Sequence, residues 1–204
     1  MDQRTDEWFA ARLGKVTASR IIDILTVAGK PEPAKRRIYR TALICERFTG
    51  KREQGFTNDA MQRGTDLEPV ARSVFEMQRN VTVVEVGFID HPTVPMSGAS
   101  PDGLIDDKSI IEIKCPQPST HLDTMMDKKV PTKYIPQIQW QLACTGRELC
   151  YFTSYCPEIG NGLELAVFEV PRDDSYINML ETEVERFNKE IEQYIIQLKE
   201  MKHG

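Results

Sequence analysis

Apolar positions along this 204-residue chain change period several times. Near the end they step by three and four: Tyr176, Leu180, Val184, Phe187, Ile191, Tyr194, Leu198 and Met201. That spacing predicts one long helix over Asp173–His203. Ile38, Ala42, Cys45 and Phe48 predict a helix over Ala34–Thr49 that Gly50 stops. Leu67, Val70, Ala71, Val74 and Phe75 predict another over Thr57–Arg79. Pro69 falls inside it, so it either starts near Asp66 or kinks. Pro131–Gly146 reads as a helix with Ile135, Ile138, Leu142 and Ala143 on its core side. Shorter helices fit Thr5–Gly14, the Ile21–Leu25 stretch after a Thr17 or Ser19 cap, and a segment from Ser119 to Met126.

Between these the period drops to two. Strands are expected at Val81–Val86, Gly87–Asp90, about Met96–Ala99, Leu149–Cys156 and Leu163–Val170. A hairpin is expected where Leu104-Ile105 and Ile110-Ile111 flank Asp106-Asp107-Lys108-Ser109, because Asp and Ser close turns with their own side chains. The order of elements predicts an α/β (α+β) fold with a central mixed β-sheet flanked by helices. No repeat or linker divides it. It reads as one domain over 1–204: a helical N-terminal part (1–80), a sheet core (81–170) and a C-terminal helix (173–203).

Charge sharpens this picture. The net charge is −5, but residues 1–52 carry 12 Lys and Arg against 6 Asp and Glu, and residues 53–204 carry 14 against 25. A basic quarter beside an acidic body can set a positive surface next to carboxylates. Lys35, Arg36, Arg37 and Arg40 crowd the first turns of their helix, the wrong end of its dipole for cations. Five cysteines without a CxxC pair argue for a reducing compartment. No apolar run approaches a membrane span and the charged N-terminus is no signal peptide, so a cytoplasmic protein is expected.

The hairpin carries the chemistry. Asp102 opens it, Glu112 follows ten residues on, and Lys114 shares Glu112's face of the strand. Ile111 and Ile113 take the opposite face. Charged residues between isoleucines in a central strand are costly without a role. Two converging carboxylates repel unless a proton or cation sits between them. Oxygen ligands with room for water suit Mg²⁺, with Mn²⁺ as a substitute. Such a cation activates water and neutralises charge on a phosphodiester. A lysine on the same face orients that water or stabilises the transition state. The Ile113 carbonyl lies between the two and can supply a further ligand. An exposed Glu–Lys pair with an Asp in a turn is the ordinary structural alternative.

Ser100-Pro101-Asp102-Gly103 with Glu112-Ile113-Lys114 resembles the PD…(D/E)xK nuclease core, a restriction-endonuclease-like fold. Together with Trp8, Arg12-Leu13-Gly14-Lys15-Val16-Thr17-Ala18-Ser19, Gly64-Thr65-Asp66-Leu67-Glu68, Cys115-Pro116 and Gln137-Ile138-Gln139-Trp140, nearly the whole chain resembles the lambda-exonuclease-like (YqaJ-type) phage recombinase family. That resemblance implies metal-dependent, processive 5′-to-3′ digestion of one strand of duplex DNA from an end. It implies Asp102, Glu112 and the Ile113 carbonyl as metal ligands, Lys114 positioning the water, and Glu68 approaching from its helix. It implies Gln137 at the site, with Gln141 one turn on as the competing partner. Arg12 and Ser19 match terminal-phosphate contacts. Read alone, Ser19 is a cap and Arg12 a surface cation. Ser100 either bonds phosphate or braces the turn. Arg36, Arg37 and Arg40 are candidates for the duplex backbone or plain surface charge. Trp8 fits either the core or a base. The family also implies a homotrimeric ring around double-stranded DNA ends, a single-strand annealing protein as partner, and a bacterial host cell.

An internally cutting endonuclease and a non-catalytic DNA-binding module are the alternatives. The Arg12/Ser19 pocket favours an end-dependent enzyme, and the intact acids and lysine disfavour a mere binder. Cys144, Cys150 and Cys156 lack a close pair, so no iron–sulfur cluster is expected. His91, His121 and His203 are scattered, so no zinc site is expected.

Overall fold

The protein is described by a computed structural model covering residues 2–52 and 59–201. Two mixed sheets are flanked by helices. The larger has the order β4-β5-β6-β7: Gly103–Ile105, Ser109–Lys114, Leu149–Tyr155 and Leu165–Pro171. β5 is antiparallel to β4 and parallel to β6, with Glu112 level with Phe152. β6 is antiparallel to β7. The smaller sheet has the order β1-β3-β2: Val16–Thr17, Ser97–Ala99 and Ile89–Asp90.

The hairpin turn forms as its residues require. Asp106 adopts a left-handed φ of 48°, and its Oδ1 accepts from the Lys108 and Ser109 amides at 2.7 and 2.9 Å. β5 then sorts its side chains onto two faces. Ile111 and Ile113 pack with Ala71 and Phe75 of α4 (Asp59–Arg79). Ile110 packs with Ile138 and Leu142 of α6 (Ile135–Thr145) and with Phe152. Glu112 shares the α6 side, so this face is covered, not wet. Trp140, on the far side of α6, joins a third cluster with Ile21 and Ile24 of α2 (Ile21–Ile24), Leu43 of α3 (Ala34–Thr49) and Phe187 of α7 (Asp174–Glu200). α6 is therefore the buried axle between both sheets and the outer helices.

Several expectations need correction. Val81–Val86 is no strand; only Val84 bridges to Leu104. β1 was not anticipated: Thr17 is in a strand, and neither Thr17 nor Ser19 caps the turn that follows. The last helix before α6, α5 (Pro118–Asp127), is preceded by Gln117 and not capped by Ser119. α4 passes through Pro69 unbroken, stabilised by Ala71 and Phe75 against β5; the expected Thr57 start and the last residues at 202–203 lie outside the described residues. On α3 the expected face is rotated. Ile38, Cys45 and Phe48 are exposed, while Arg36, Tyr39, Leu43 and Ile44 are buried. The cause is Arg36: its Nη atoms grip Glu190 of α7 at 2.7 Å each, and Nη1 also reaches Glu32 at 2.8 Å. A bidentate, charge-neutralised arginine can occupy a face an apolar residue would otherwise take. The α7 stripe holds only to Ile191; Tyr194, Leu198 and Met201 are exposed.

Candidate active site

Asp102 sits one residue before β4, and its Oδ2 accepts from the Ile113 amide at 2.6 Å. This bond ties the first acid to the strand that bears the second. Gly103, next on the chain, lets the start of β4 lie close against Val83, because a Cβ there would run into Val83 Cγ1. Glu112 is 1% exposed. Its Oε1 accepts from Gln137 Nε2 at 2.7 Å and pairs with the Lys114 ammonium; its Oε2 accepts from Gln141 Nε2 at 2.6 Å. Gln137 and Gln141 are one turn apart on α6, so a single helix face grips both oxygens. Both glutamines therefore hold Glu112, with Gln137 at the cleft wall and Gln141 fully buried behind it.

The electrostatics follow from this crowding. Burial raises the Asp102 pKa well above its ordinary value, and the charges of Glu112 and Glu68 raise it further. Lys114 and the Ile113 amide offset only part of this. Burial acts to lower the Lys114 pKa, but Glu112 and Asp102 outweigh it and keep the ammonium charged. Lys114 also lies 5.2 Å from the Tyr134 ring centre. Cys115, next on the chain, is pushed up to about 12 by burial, Glu68 and Asp102, so it is a thiol and no nucleophile.

Glu68 projects from α4 into the same cleft. Arg72 Nη2, one turn on, holds its Oε1 at 2.9 Å, and Arg4 Nη2 holds its Oε2 at 2.7 Å. These arginines, rather than a defect at Pro69, set its position. The Arg72 pairing was legible as a Glu–Arg i,i+4 spacing; nothing in the local sequence pointed to Arg4.

Arg12 reaches the cleft from α1 (Asp6–Arg12). Its guanidinium lies 4.0 Å over the Trp8 ring, and Nη1 donates to Ser100 Oγ at 3.3 Å. Trp8 Nε1 donates to the same oxygen at 2.9 Å. Trp8 is thus neither core nor a free platform; it holds Arg12 and Ser100. With both acceptor positions filled, the Ser100 hydroxyl proton is free to be donated. Among the described residues no carboxylate lies within ion-pair distance of Arg12. Burial pulls its pKa down to about 10, as expected of a desolvated cation that lacks an anion. Ser19 lines the same cleft and is exposed.

The cleft of about 620 Å³ therefore gathers Arg12, Ser19, Glu68, Ser100, Asp102, Glu112, Ile113, Lys114 and Gln137. It does not gather Arg36, Arg37 or Arg40. Arg36 is 3% exposed and fully engaged with Glu32, Glu190 and the Ile24 carbonyl, so it is no duplex contact. Arg40 pairs with Glu32 and Glu190. Arg37 is exposed. Arg36 and Arg40 at the start of α3 therefore pair with Glu190 of α7.

Among the described residues, no three His, Cys, Asp or Glu side chains gather closely enough to cage a metal. What the cleft offers is two hard oxygen donors with a buried, anion-destabilised carboxyl between further negative charge. That set fits Mg²⁺, which binds through one or two carboxylates and completes its shell with water and phosphate. Among the described residues no helix is long and apolar enough to cross a membrane.

A mixed sheet with Glu112 and Lys114 on β5, which runs parallel to β6, Asp102 just before the neighbouring antiparallel β4, and a helical glutamine pair behind has the arrangement of a PD-(D/E)xK-type core. Residues 7–148 match the YqaJ-like viral recombinase domain, and the chain belongs to that family. It is similar to an alkaline exonuclease (LHK-Exo) from Laribacter hongkongensis, with 47% identity, 98% of each chain covered and a TM-score of 0.91. The same values hold for that exonuclease in complex with dAMP. A phage-related exonuclease from Haemophilus somnus 129PT shares the fold at 15% identity, with a TM-score of 0.74 over 90% of this chain and 96% of that one. No curated protein sequence matches this chain.

Proposed function

We propose that this protein is a metal-dependent 5′-to-3′ exonuclease that digests one strand of double-stranded DNA processively from an end, leaving 3′ single-stranded overhangs. The observation that carries this is the shared cleft: the acid–acid–lysine set and Arg12, which has no carboxylate partner among the described residues, open into one space. The family and the 47% identical alkaline exonuclease support an exonuclease in particular. That relative's complex with dAMP supports a mononucleotide product.

In this reading Asp102, Glu112 and the Ile113 carbonyl hold a divalent cation, Mg²⁺ or Mn²⁺, with Glu68 facing it. When bound, the cation supplies Lewis-acid charge at the scissile phosphate and a more acidic water. Gln137 and Gln141 fix the Glu112 carboxylate so that it need not reorganise. Lys114, kept charged by Glu112, orients the water and stabilises negative charge on the phosphoryl oxygens. Arg12, Ser19 and Ser100 bind the terminal 5′ phosphate, a strong charge-assisted contact in a partly dry site. This contact makes the enzyme need an end. We further propose a homotrimeric ring around the duplex, a single-strand annealing protein as partner and action in the cytoplasm of a bacterial host; family membership supports these.

The test compares linear duplex with covalently closed circles in Mg²⁺ and in EDTA. Degradation of linear DNA alone, and only with Mg²⁺, is expected. Rapid cutting of closed circles overturns the exonuclease in favour of an endonuclease, and no Mg²⁺-dependent nucleotide release overturns catalysis.

A further inference from the structure

Arg4 lies in the short segment before α1, which lines the cleft through Gln3 and Arg4. Gln3 Nε2 pins the segment to the Val86 and Pro101 carbonyls at 3.0 and 2.8 Å, one residue before Asp102. Thr5 caps α1 through the Trp8 amide. Between them Arg4 takes a left-handed φ of 66°, which turns its side chain to Glu68. The segment is thus tied down on both sides of Arg4.

The two arginines on Glu68 are not equivalent. Arg72 has a side chain 9% exposed, is one helical turn from Glu68, and also bridges to Glu85 at 2.5 Å. Arg4 has a side chain 47% exposed, and Glu68 is its one carboxylate partner among the described residues. An ion pair whose arginine is half exposed adds little net stability, so exchanging it is cheap. A phosphodiester offers the same guanidinium an equally good two-oxygen partner. Arg4 lines the cleft together with Arg12 and Ser100. Arg4 also occupies the one Glu68 oxygen that Arg72 does not.

We propose that Arg4 is an exchange latch: it holds Glu68 Oε2 until a DNA strand enters, then moves to a backbone phosphate of that strand and leaves Glu68 free to face Asp102 and Glu112. The latch rests on the nuclease reading of the cleft. It assigns to Arg4 both a DNA contact and control over a site carboxylate. Arg4 and Glu68 then compete, so removing the Glu68 charge helps DNA binding mainly through Arg4.

The experiment is a binding cycle on a 5′-phosphorylated duplex in EDTA, where no cation or turnover contributes. Wild type, Arg4→Ala, Glu68→Gln and the double variant are compared across a salt series. Arg4→Ala is expected to weaken binding by about 3- to 10-fold and to lower the salt slope by about one contact. Arg4→Lys, which keeps the charge, is expected to restore the slope. Glu68→Gln is expected to tighten binding in the wild-type background and to lose most of that gain in the Arg4→Ala background. Unchanged affinity and slope in Arg4→Ala, or an equal Glu68→Gln gain in both backgrounds, overturns the latch. Thermal melts exclude misfolding, with Arg4→Gln measured in place of an unfolded Ala variant. Wild-type protein that binds no duplex, or releases no nucleotide in Mg²⁺, overturns the nuclease reading itself; a failed cycle with an active wild type overturns only the latch.

Discussion

Gln141 Nε2 meets Glu112 Oε2 at 2.6 Å, with both side chains buried between α6 and β5. The bond is made at a cost, since Gln141 Oε1 is buried without a partner. The amide is therefore oriented for the carboxylate. Gln141→Leu should leave Glu112 Oε2 unpaired and destabilise the protein by about 1–3 kcal/mol, read by chemical denaturation. Gln137→Ala, at the cleft wall, should leave stability nearly unchanged and cut the nucleotide-release rate by roughly 10- to 100-fold.

Arg12 is held by Trp8 and Ser100 and has no carboxylate partner among the described residues. Arg12→Ala should therefore cost most where the substrate carries a terminal phosphate. The preference for 5′-phosphate over 5′-hydroxyl ends should fall by roughly 10- to 100-fold, the size of a charge-assisted contact. Trp8→Phe keeps the ring but removes the donor to Ser100, and should lower the same preference more mildly. Initial rates on the two end types check both.

Much of this site was readable from the chain. Asp102, Glu112 and Lys114 stood out because local spacing decides strand face and turn position. Asp106 closes its turn with its own side chain, so the hairpin came with them. What escaped depends on contacts far apart in sequence. Arg4 meets Glu68 across 64 positions, and Arg36 meets Glu190 across 154. The second case rotated the expected face of α3, since periodicity treats arginine as polar and cannot see its partners. Val81–Val86 has strand composition, yet its Val83 amide is held by the Glu76 side chain at 2.7 Å and only Val84 finds a ladder partner.

Gly103 lets the start of β4, one residue after Asp102, pack closely against Val83. Gly103→Ala should force its Cβ against Val83 and destabilise the protein by about 1–3 kcal/mol. Activity should fall further than stability explains, because the Asp102–Ile113 bond shifts with the turn. Measuring kcat well below the melting temperature separates the two effects.

Acid sensitivity should come partly from His91. Burial, then the charge of Arg172, lowers its pKa from 6.5 to about 4. Its Nδ1 also accepts from the Val94 amide at 3.0 Å, and protonation breaks that bond. The unfolded chain therefore binds the proton more readily than the folded one. The stability contribution is full above pH 6.5 and is lost as pH falls towards 4, at most about 3 kcal/mol. His91→Gln should flatten this part of the denaturation profile; a profile parallel to wild type would assign the acid loss elsewhere.

The central claim is that Lys114, charged and held by Glu112, serves hydrolysis at a DNA end. The most direct measurement follows a duplex labelled at one 5′ end, in Mg²⁺, with wild type and Lys114→Ala under single-turnover conditions. Wild type is predicted to release the label first, as a mononucleotide, while Lys114→Ala binds the duplex and releases essentially none. Label leaving last, or Lys114→Ala turning over at the wild-type rate, would contradict it.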